Sequence, residues 1–267
     1  MKIARIRIGG KRTEHAVVED DGYRIVKGGI FGRIEVADER IPTAQATLLA
    51  PVVPPQVLAI GLNYRKHAQE SKMVVPAAPV VFIKTCNTVV GPGDNIVLPA
   101  MAPNEVDYEA ELVIVIGKEA KRVSEARALE HVLGYTCGND VSARDCQLRL
   151  DKQWARGKSF DSFAPIGPWI VTNLDGDNLA IKLTLNGVTM QQSGTSDMVF
   201  GCRQLVSYLS HCMTLLPGSI IMSGTPSGVG MGRNPPVWLK AGDSVAVDIE
   251  GIGVLENKVV KEEVGTL

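Results

Sequence analysis

The sequence predicts an α+β protein that is mainly β, with a small β-rich domain ahead of a larger one. Short apolar segments with period-two alternation, such as KIARIRI (2–8) and DSVAVDIE (243–250), recur between charged or glycine-containing turns. A proline-rich stretch, APVVPPQ (50–56), interrupts this pattern once. Strand and helix signals do not alternate regularly, which disfavours a Rossmann fold or a TIM barrel. We therefore expect a small N-terminal domain over 1–55 and a larger domain over 56–267.

Two segments carry helix signals within this β-rich chain. SEARALEHVLG (124–134) starts at a potential capping residue, Ser124, and stops at Gly134. SDMVFGCRQLVSYLSHCMTLLPG (196–218) has apolar residues at helical spacing and ends at a Pro-Gly pair. We expect helices in both segments and strands or turns elsewhere.

Composition and charge restrict the class of partner. At 267 residues the chain can bury a large core, and its net charge of −1 arises from dispersed charges rather than blocks. Aromatic residues make up only 5% of the chain, which argues against platforms for stacking nucleic-acid bases. The N-terminus lacks the apolar core of a signal peptide, and no apolar run approaches a membrane span. We expect a cytoplasmic protein with no nucleic-acid or membrane partner.

The pattern of the five cysteines also indicates a cytoplasmic protein. They form an odd set without C-x-x-C pairs, as expected for reduced thiols. One of them, Cys146, lies within a polar segment and is a candidate nucleophile, with simple packing as the alternative.

Carboxylates cluster around one apolar strand. In VDYEAELVIVIG (106–117), Glu109 and Glu111 stand two apart and would leave the same face of a strand, where their repulsion calls for a cation. Two solvated glutamates on a polar edge strand are the alternative. A third acid, Asp140, follows a Gly-Asn turn in GYTCGNDVSARDCQ (134–147). Three carboxylates without a Cys or His pair at metal spacing favour Mg²⁺ or Mn²⁺ over Zn²⁺.

A histidine and a glutamate three residues apart follow another apolar strand. In GLNYRKHAQE (61–70), His67 and Glu70 would share one face of a helical turn. The carboxylate can orient the imidazole and raise its basicity, which gives a general base for water; a solvated pair is the alternative. No partner pattern surrounds the other histidines, which we interpret as structural: His15, His131 and His211.

Two glycine-containing segments suggest ligand contacts. Lys158 lies in GKSFDSFAPIGPW (157–169), where it would either reach solvent or face an anion such as a metal-bound substrate. GTPSGVGMG (224–232) does not fit a phosphate-binding P-loop, but its backbone N–H groups and the Thr225 hydroxyl could hold a small carboxylate. An ordinary turn between strands is the alternative.

An ordered set of segments resembles the fumarylacetoacetate hydrolase superfamily over about residues 56–260. The first fifty residues resemble the small N-terminal domain of its bacterial members, and the whole resembles the acylpyruvate hydrolases and 2-hydroxyhepta-2,4-diene-1,7-dioate isomerases of that superfamily. The segments are GLNYRKHAQE, VVFIKTCNTVVGPGDNIVLP, VDYEAELVIVIGK, GYTCGNDVSARDCQ, GKSFDSFAPIGPWIV, NGVTMQQSGTSDMVF, LLPGSIIMSGTPSGVG and LKAGDSVAVDIEGIGVLEN.

The resemblance implies a mixed β-sandwich roll that pairs as a homodimer through the larger domain. The family's metal ligands match Glu109, Glu111 and Asp140, which would hold Mg²⁺ or Mn²⁺, and its catalytic dyad on a mobile lid matches His67 and Glu70. Substrate-contacting positions of the family match Arg144, Gln147, Lys158 and Thr225.

One departure from the family pattern lies in FIKTCNT (82–88). Many relatives have proline immediately after the lysine, and this chain has Thr85. The resemblance therefore does not fix the contacts of this loop.

The activity implied by the resemblance is hydrolysis of a C–C bond in a small 2,4-dioxo acid, of the acylpyruvate or fumarylpyruvate type, through a metal-bound enolate. His67, paired with Glu70, would deprotonate the attacking water, and Lys158 would stabilise the developing charge. Because they share the enolate, decarboxylation of oxaloacetate and isomerisation or decarboxylation of a 2-hydroxy-diene dioate in aromatic catabolism are alternatives. A non-catalytic ligand-binding protein with the same fold is a further alternative.

Overall fold

The computed structural model describes residues 1–263, which form nineteen strands and three α-helices. The strands are β1 (Lys2–Ile8), β2 (Arg12–Glu19), β3 (Gly22–Lys27), β4 (Glu35–Pro42), β5 (Ala46–Leu49), β6 (Val57–Gly61), β7 (Val80–Lys84), β8 (Val89–Val90), β9 (Asn95–Leu98), β10 (Val106–Asp107), β11 (Ala110–Ile116), β12 (Val132–Asn139), β13 (Ser142–Ala143), β14 (Ala164–Val171), β15 (Ala180–Leu185), β16 (Val188–Gly194), β17 (Ile220–Met222), β18 (Ser244–Ile249) and β19 (Gly253–Lys261). The α-helices are α1 (Arg65–Glu70), α2 (Ala155–Lys158) and α3 (Cys202–Cys212).

Most strands belong to one of two sheets, and the predicted mainly β, α+β class is confirmed. The larger sheet has twelve strands, with the order β4-β3-β2-β1-β14-β12-β11-β17-β6-β7 and with β5 and β8 attached to β1 and β14. The smaller sheet has five strands in the order β16-β15-β18-β19-β9. A short pair, β10 with β13, lies apart from both sheets.

The core lies where the centre of the larger sheet packs against the smaller sheet. Leu112 and Ile114 of β11 belong to the same buried cluster as Leu183 of β15 and Val247 of β18. The intervening residue, Val113, belongs to a second cluster on the opposite face. Because β11 is apolar on both faces, its position is fixed, and residues at its beginning are held in a defined place.

The N-terminal strands extend the larger sheet. The predicted strand at 2–8 is present as β1, which pairs antiparallel with β2. At its first residues β1 also pairs with β14, with Lys2 opposite Val171 and Ile3 opposite Ile170. The proline-rich stretch connects β5 to β6. The division into domains 1–55 and 56–267 stays a prediction, since this sheet runs through both parts.

The helix predicted over 124–134 is wrong in type and extent. A 3₁₀-helix spans Glu125–His131, Ser124 makes no capping hydrogen bond through its side chain, and β12 begins at Val132. Gly134 therefore lies inside a strand, opposite Val115 of β11. A Cβ at this glycine would collide with a carbonyl oxygen of the neighbouring β14, so close approach of strands, and not a helix stop, explains the residue.

The second predicted helix is present over a shorter span. Within 196–218, α3 covers Cys202–Cys212 only, with Leu205 and Leu209 buried as its apolar spacing predicts. The helix begins after Gly201 because the preceding backbone N–H groups of Val199 and Phe200 bond to Asn63 instead. Within residues 1–263, no helix has the length and apolar character needed to cross a membrane.

Candidate active site

The three carboxylates predicted to bind a metal lie together. Glu109 immediately precedes β11, Glu111 is the second residue of that strand, and Asp140 follows the last residue of β12 rather than a Gly-Asn turn. Each offers a ligand oxygen, and these oxygens lie within 4.8 Å of one another. The backbone holds the group, because the Glu109 N–H donates to the Asn139 Oδ1 (2.9 Å) and the Asp140 N–H donates to the Glu109 carbonyl (2.9 Å).

Three buried cations contact this acidic group. Lys158 Nζ donates to Glu109 Oε2 (2.8 Å) and to Asp140 Oδ2 (2.7 Å). Lys84 Nζ donates to Asp140 Oδ1 (2.5 Å), and Arg144 Nη2 donates to Glu109 Oε1 (2.6 Å). Lys158 thus faces anions, one of the two possibilities that the sequence left open, and the anions are the protein's own.

The cations are distributed unevenly, and the pKa values reflect this. Burial alone would raise the pKa of the Glu109 carboxyl, but Lys158 and Arg144 outweigh it and lower that pKa. Burial, reinforced by the nearby Asp140 and Glu109 carboxylates, raises the pKa of Glu111 well above its ordinary value. Burial would lower the pKa of Lys158, but the same two carboxylates raise it.

The donor set fits a hard divalent ion. Among residues 1–263, the hydrogen bond to the Glu111 carboxylate comes from the Gly224 N–H (2.8 Å), so this buried acid has no cation of its own. The site holds more carboxylates than Lys and Arg side chains, by a margin of two that a divalent ion would compensate. Three of the carboxylates line the cavity, Glu109, Glu111 and Asp140, and two lie behind it, Glu70 bonded to His67 and Asp107 bonded to Arg144.

The predicted histidine and glutamate pair forms at the end of α1. His67 Nδ1 lies 3.1 Å from Glu70 Oε2, and the His67 side chain is 10% exposed, so the pair is not a solvated one. The Gly228 N–H donates to both Glu70 oxygens (2.9 and 3.1 Å), which fixes the carboxylate from its other side. Among the described residues Nε2 of the imidazole has no hydrogen-bond partner, which leaves it available for a ligand in the cavity that His67 lines.

The glycine-rich loop, residues 224–232, contacts carboxylates, but those of the protein itself. The Gly224 N–H bonds to Glu111, and the Gly228 N–H bonds to Glu70. The sequence-based expectation that these N–H groups hold a small external carboxylate is therefore not met by the two glycines. Both have a positive φ of 102°, a conformation that favours glycine.

Thr225 remains available for a ligand. Gln191 Nε2 donates to Thr225 Oγ1 (2.8 Å) and to the Pro226 carbonyl (2.8 Å). Because the Thr225 oxygen accepts from Gln191, its own O–H is free to donate into the cavity that it lines.

Arg144 and Gln147 are brought together with an acid that the sequence analysis did not single out. Arg144 Nη1 donates to Gln147 Oε1 (2.8 Å), and Arg144 Nε donates to Asp107 Oδ2 (2.9 Å). Asp107 also accepts from the backbone N–H groups of Gly230 (2.7 Å) and Met231 (3.1 Å). Three donor groups of Arg144 are therefore used within the protein.

Sequence reasoning missed three buried polar residues of the site: Lys84, Asp107 and Gln191. Asp107 extends the E-x-E spacing backwards by two, so the alternation itself was a usable signal. Lys84 ends the strand VVFIK, but its burial and its bond to Asp140 come from the fold, so the sequence carried no signal for it. Gln191 carries no pattern in the sequence, since its role depends on the fold bringing β16 beside the loop.

The departure at Thr85 makes a contact that proline could not. The Thr85 N–H donates to Ser159 Oγ (3.3 Å). This bond links the residue after Lys84 to the residue after Lys158, the two lysines that meet at Asp140.

All of the predicted site residues except Glu70 line one cavity of about 260 Å³. Its wall combines the acids and cations with an apolar side formed by Leu62, Met73, Phe82, Leu148 and Trp154. A larger surface cleft of about 550 Å³, lined in part by Met101 and Phe160, includes none of the three clustered acids. The smaller cavity is therefore the candidate active site.

Cys146 packs in the core instead of lining the cavity. The residue is buried within the main apolar cluster, and burial raises the pKa of its thiol, which disfavours a nucleophilic thiolate. All five cysteines are free thiols. Of the other histidines, His131 and His211 hold backbone carbonyls through Nδ1, in keeping with structural roles.

Two protein families match the sequence in adjacent ranges. The family described as fumarylacetoacetate (FAA) hydrolase, C-terminal, matches residues 56–260. The family described as Rv2993c-like, N-terminal, matches residues 1–51.

Individual relatives agree with this assignment. The mitochondrial oxaloacetate tautomerase Fahd2a of Rattus norvegicus is 47% identical over 224 residues, which cover 82% of this chain and 71% of the relative. The crystal structure of 5-carboxymethyl-2-hydroxymuconate delta-isomerase from Mycobacterium smegmatis superposes with a TM-score of 0.89 at 42% identity, covering 98% of this chain and 100% of the other. The crystal structure of 2-hydroxyhepta-2,4-diene-1,7-dioate isomerase from Mycobacterium marinum superposes with a TM-score of 0.88 at 40% identity, covering 99% of this chain and 100% of the other. The predicted fold type is thereby confirmed, and the chain belongs to the fumarylacetoacetate hydrolase family.

Proposed function

We propose that this chain is a metal-dependent enzyme that interconverts the keto and enol forms of oxaloacetate or a closely related 2-oxo acid. The observation that carries the proposal is that His67, whose Nδ1 bonds to Glu70, lines the same 260 Å³ cavity as Glu109, Glu111 and Asp140. Support comes from the 47% identical relative that is named an oxaloacetate tautomerase.

The proposed chemistry is a proton transfer between carbon and oxygen. A divalent ion, Mg²⁺ or Mn²⁺, held by Glu109, Glu111 and Asp140 would polarise the 2-oxo group as a Lewis acid. His67 Nε2 would remove the proton from C3 of the acid, and Glu70 would stabilise the imidazolium.

The same histidine would also complete the proton transfer. In the keto-to-enol direction the imidazolium would deliver the proton taken from C3 to the enolate oxygen. In the other direction His67 would take the proton of the enol O–H and deliver it to C3, so the protein is unchanged after each cycle. Lys158 and Thr225 would donate hydrogen bonds to the negative charge that develops on the substrate oxygens, since both line the cavity. The buried setting strengthens these contacts by excluding water.

Hydrolysis of an acylpyruvate is a second candidate. The same histidine could activate a water instead of a C–H bond, and the apolar side of the cavity around Phe82 and Trp154 would accommodate an uncharged acyl group. Both reactions require charge stabilisation at the 2-oxo group, and they differ in what His67 deprotonates.

A substrate screen with added Mg²⁺ or Mn²⁺ tests the proposal. Enol and keto oxaloacetate, several acylpyruvates and a 2-hydroxy-diene dioate are followed by ultraviolet absorbance, with a chelator-treated sample as the control. We expect the equilibration of oxaloacetate to be accelerated most, and only with metal present. Turnover of acylpyruvates alone would favour hydrolysis, whereas ligand-induced thermal stabilisation without any turnover would favour a binding protein.

We also propose that the chain forms a homodimer. Apolar side chains near the cavity are exposed in the single chain, including Ile83 (55%) on the edge strand β7 and Leu150 (64%). Covering such residues is a common consequence of self-association. Light scattering at micromolar concentration should give twice the chain mass of 28.6 kDa, and a monomer mass would contradict the proposal.

A further inference from the structure

Asp107 is a buried carboxylate that serves the site without lining it. It is the last residue of β10, it is entirely buried, and it is not among the residues that line the cavity. Its Oδ1 accepts from the N–H groups of Tyr108 (2.8 Å) and Gly230 (2.7 Å). Its Oδ2 accepts from Arg144 Nε (2.9 Å) and from the Met231 N–H (3.1 Å). Each oxygen thus has at least two donors, and the acid cannot bind substrate directly.

These bonds connect Arg144 to one end of the glycine-rich loop. Gly230 has to be a glycine here, because a Cβ would collide with the Val237 carbonyl oxygen and would lie 2.6 Å from the Asp107 Oδ1. Arg144 in turn donates to Glu109 and Gln147. Movement of Asp107 would therefore displace both the Arg144 guanidinium and the glycine-rich loop.

The rest of the loop bonds to two carboxylates with other roles. The Gly228 N–H holds Glu70 of the dyad, and the Gly224 N–H holds Glu111 of the acidic cluster. The loop is therefore a single backbone segment whose N–H groups set the positions of three separate carboxylates.

We propose that Asp107 is a positioning residue that fixes the Arg144 guanidinium and the glycine-rich loop in one arrangement. Through the loop it aligns Glu70, and hence His67, with the acidic cluster. The proposal rests on the proposed function for its kinetic part only, since the loop geometry is measurable without any substrate.

Asp107→Asn is the informative variant. Asparagine has the same shape, but one of its two acceptor positions becomes an NH₂ group that faces N–H donors in either orientation. In one orientation the Tyr108 and Gly230 N–H groups lose their acceptor, and in the other the Arg144 Nε–H and the Met231 N–H lose theirs, so one loop amide is affected in both. For the oxaloacetate reaction with saturating Mg²⁺ we expect kcat to fall about 10- to 100-fold, the range seen when groups that orient metal-site ligands are changed.

The Gly228 amide supplies a readout that a loss of stability alone would not change. In the folded variant, the ¹⁵N–¹H signal of Gly228 should shift, although its partner is Glu70 and not Asp107, because the loop has moved. Asp177→Asn is the matched control, since Asp177 accepts the Cys202 N–H (2.7 Å) at the start of α3, away from the loop. This control should leave both kcat and the Gly228 signal unchanged.

The outcomes separate the two proposals. An unshifted Gly228 signal together with kcat within about twofold of wild type would overturn the positioning role. A wild-type protein without oxo-acid turnover would overturn the proposed function, and the Gly228 shift would still decide the role of Asp107. If Asp107→Asn does not fold, amide hydrogen exchange of the wild-type protein tests the proposal instead. The amides of Gly228, Gly230 and Met231 should then exchange at similar rates. Rapid exchange of Gly230 and Met231 with slow exchange of Gly228 would contradict the proposal.

Discussion

The Glu111→Gln variant is expected to lose at least about 10³-fold in turnover with oxaloacetate, together with most of its affinity for Mg²⁺. Lewis-acid stabilisation contributes several kcal/mol, and each 1.4 kcal/mol is a factor of ten in rate. Glu111 is the ligand candidate whose carboxylate lacks a Lys or Arg partner, so it depends most on the ion. The effect is measured by turnover assays and by calorimetric titration with Mg²⁺. The wild type and Glu130→Gln, a change on the exposed surface, serve as controls.

The stability of the same variant without metal gives an independent check. Removing a buried carboxylate that has no cation relieves desolvation and repulsion, so the metal-free Tm should stay equal or rise. Asp140→Asn should behave differently, because Asp140 accepts from Lys84 and Lys158, and its loss leaves two buried ammonium groups poorly paired. Near-normal turnover of Glu111→Gln with excess chelator would show that the ligand assignment is wrong.

Replacing His67 with alanine should separate the reactions that this site can support. Tautomerisation and acylpyruvate hydrolysis both need a base at the position of Nε2, so each should fall by about 10²- to 10⁴-fold in kcat. Decarboxylation of oxaloacetate needs charge stabilisation and loss of CO₂, and it should change far less. Parallel assays of the three reactions on one preparation of the variant measure the separation.

The controls for this variant come from the same chain. Glu70→Gln should cause a smaller loss, because it weakens the orientation of the imidazole without removing the base. His211→Ala should leave all three rates unchanged, since that histidine bonds only to the Ser207 carbonyl in α3 among the described residues. Equal loss of all three activities in His67→Ala would indicate a shared protonation role, and loss of metal affinity instead would make His67 a ligand.

The local features of the site were predictable where spacing along one strand or helical turn determines contact. Glu109 and Glu111 converge as the period of a strand requires, and His67 meets Glu70 as the period of a helix requires. The mainly β class was predictable for the same reason, because alternation marks strands such as β18.

Features that depend on contacts between distant segments were not predictable. The prediction of a helix ending at Gly134 failed because strand pairing with β11 overrode the local turn signal. Asp107 and Lys84 acquire their roles from residues 37 and 56 positions away. The glycine-rich loop was recognised as a carboxylate-binding segment, but spacing alone gave no indication that its partners belong to the chain itself.

The pairing of β1 with β14 affects how the molecule folds as a whole. Two regions that match separate families share one hydrogen-bonded sheet, so unfolding of either breaks main-chain bonds of the other, and both should melt in one cooperative transition. Removing the N-terminal strands would leave part of β14 as an open edge beside the apolar Ile170, a surface that invites aggregation. We therefore expect deletion of the first strands to lower the solubility of the remaining chain and to broaden its melting transition.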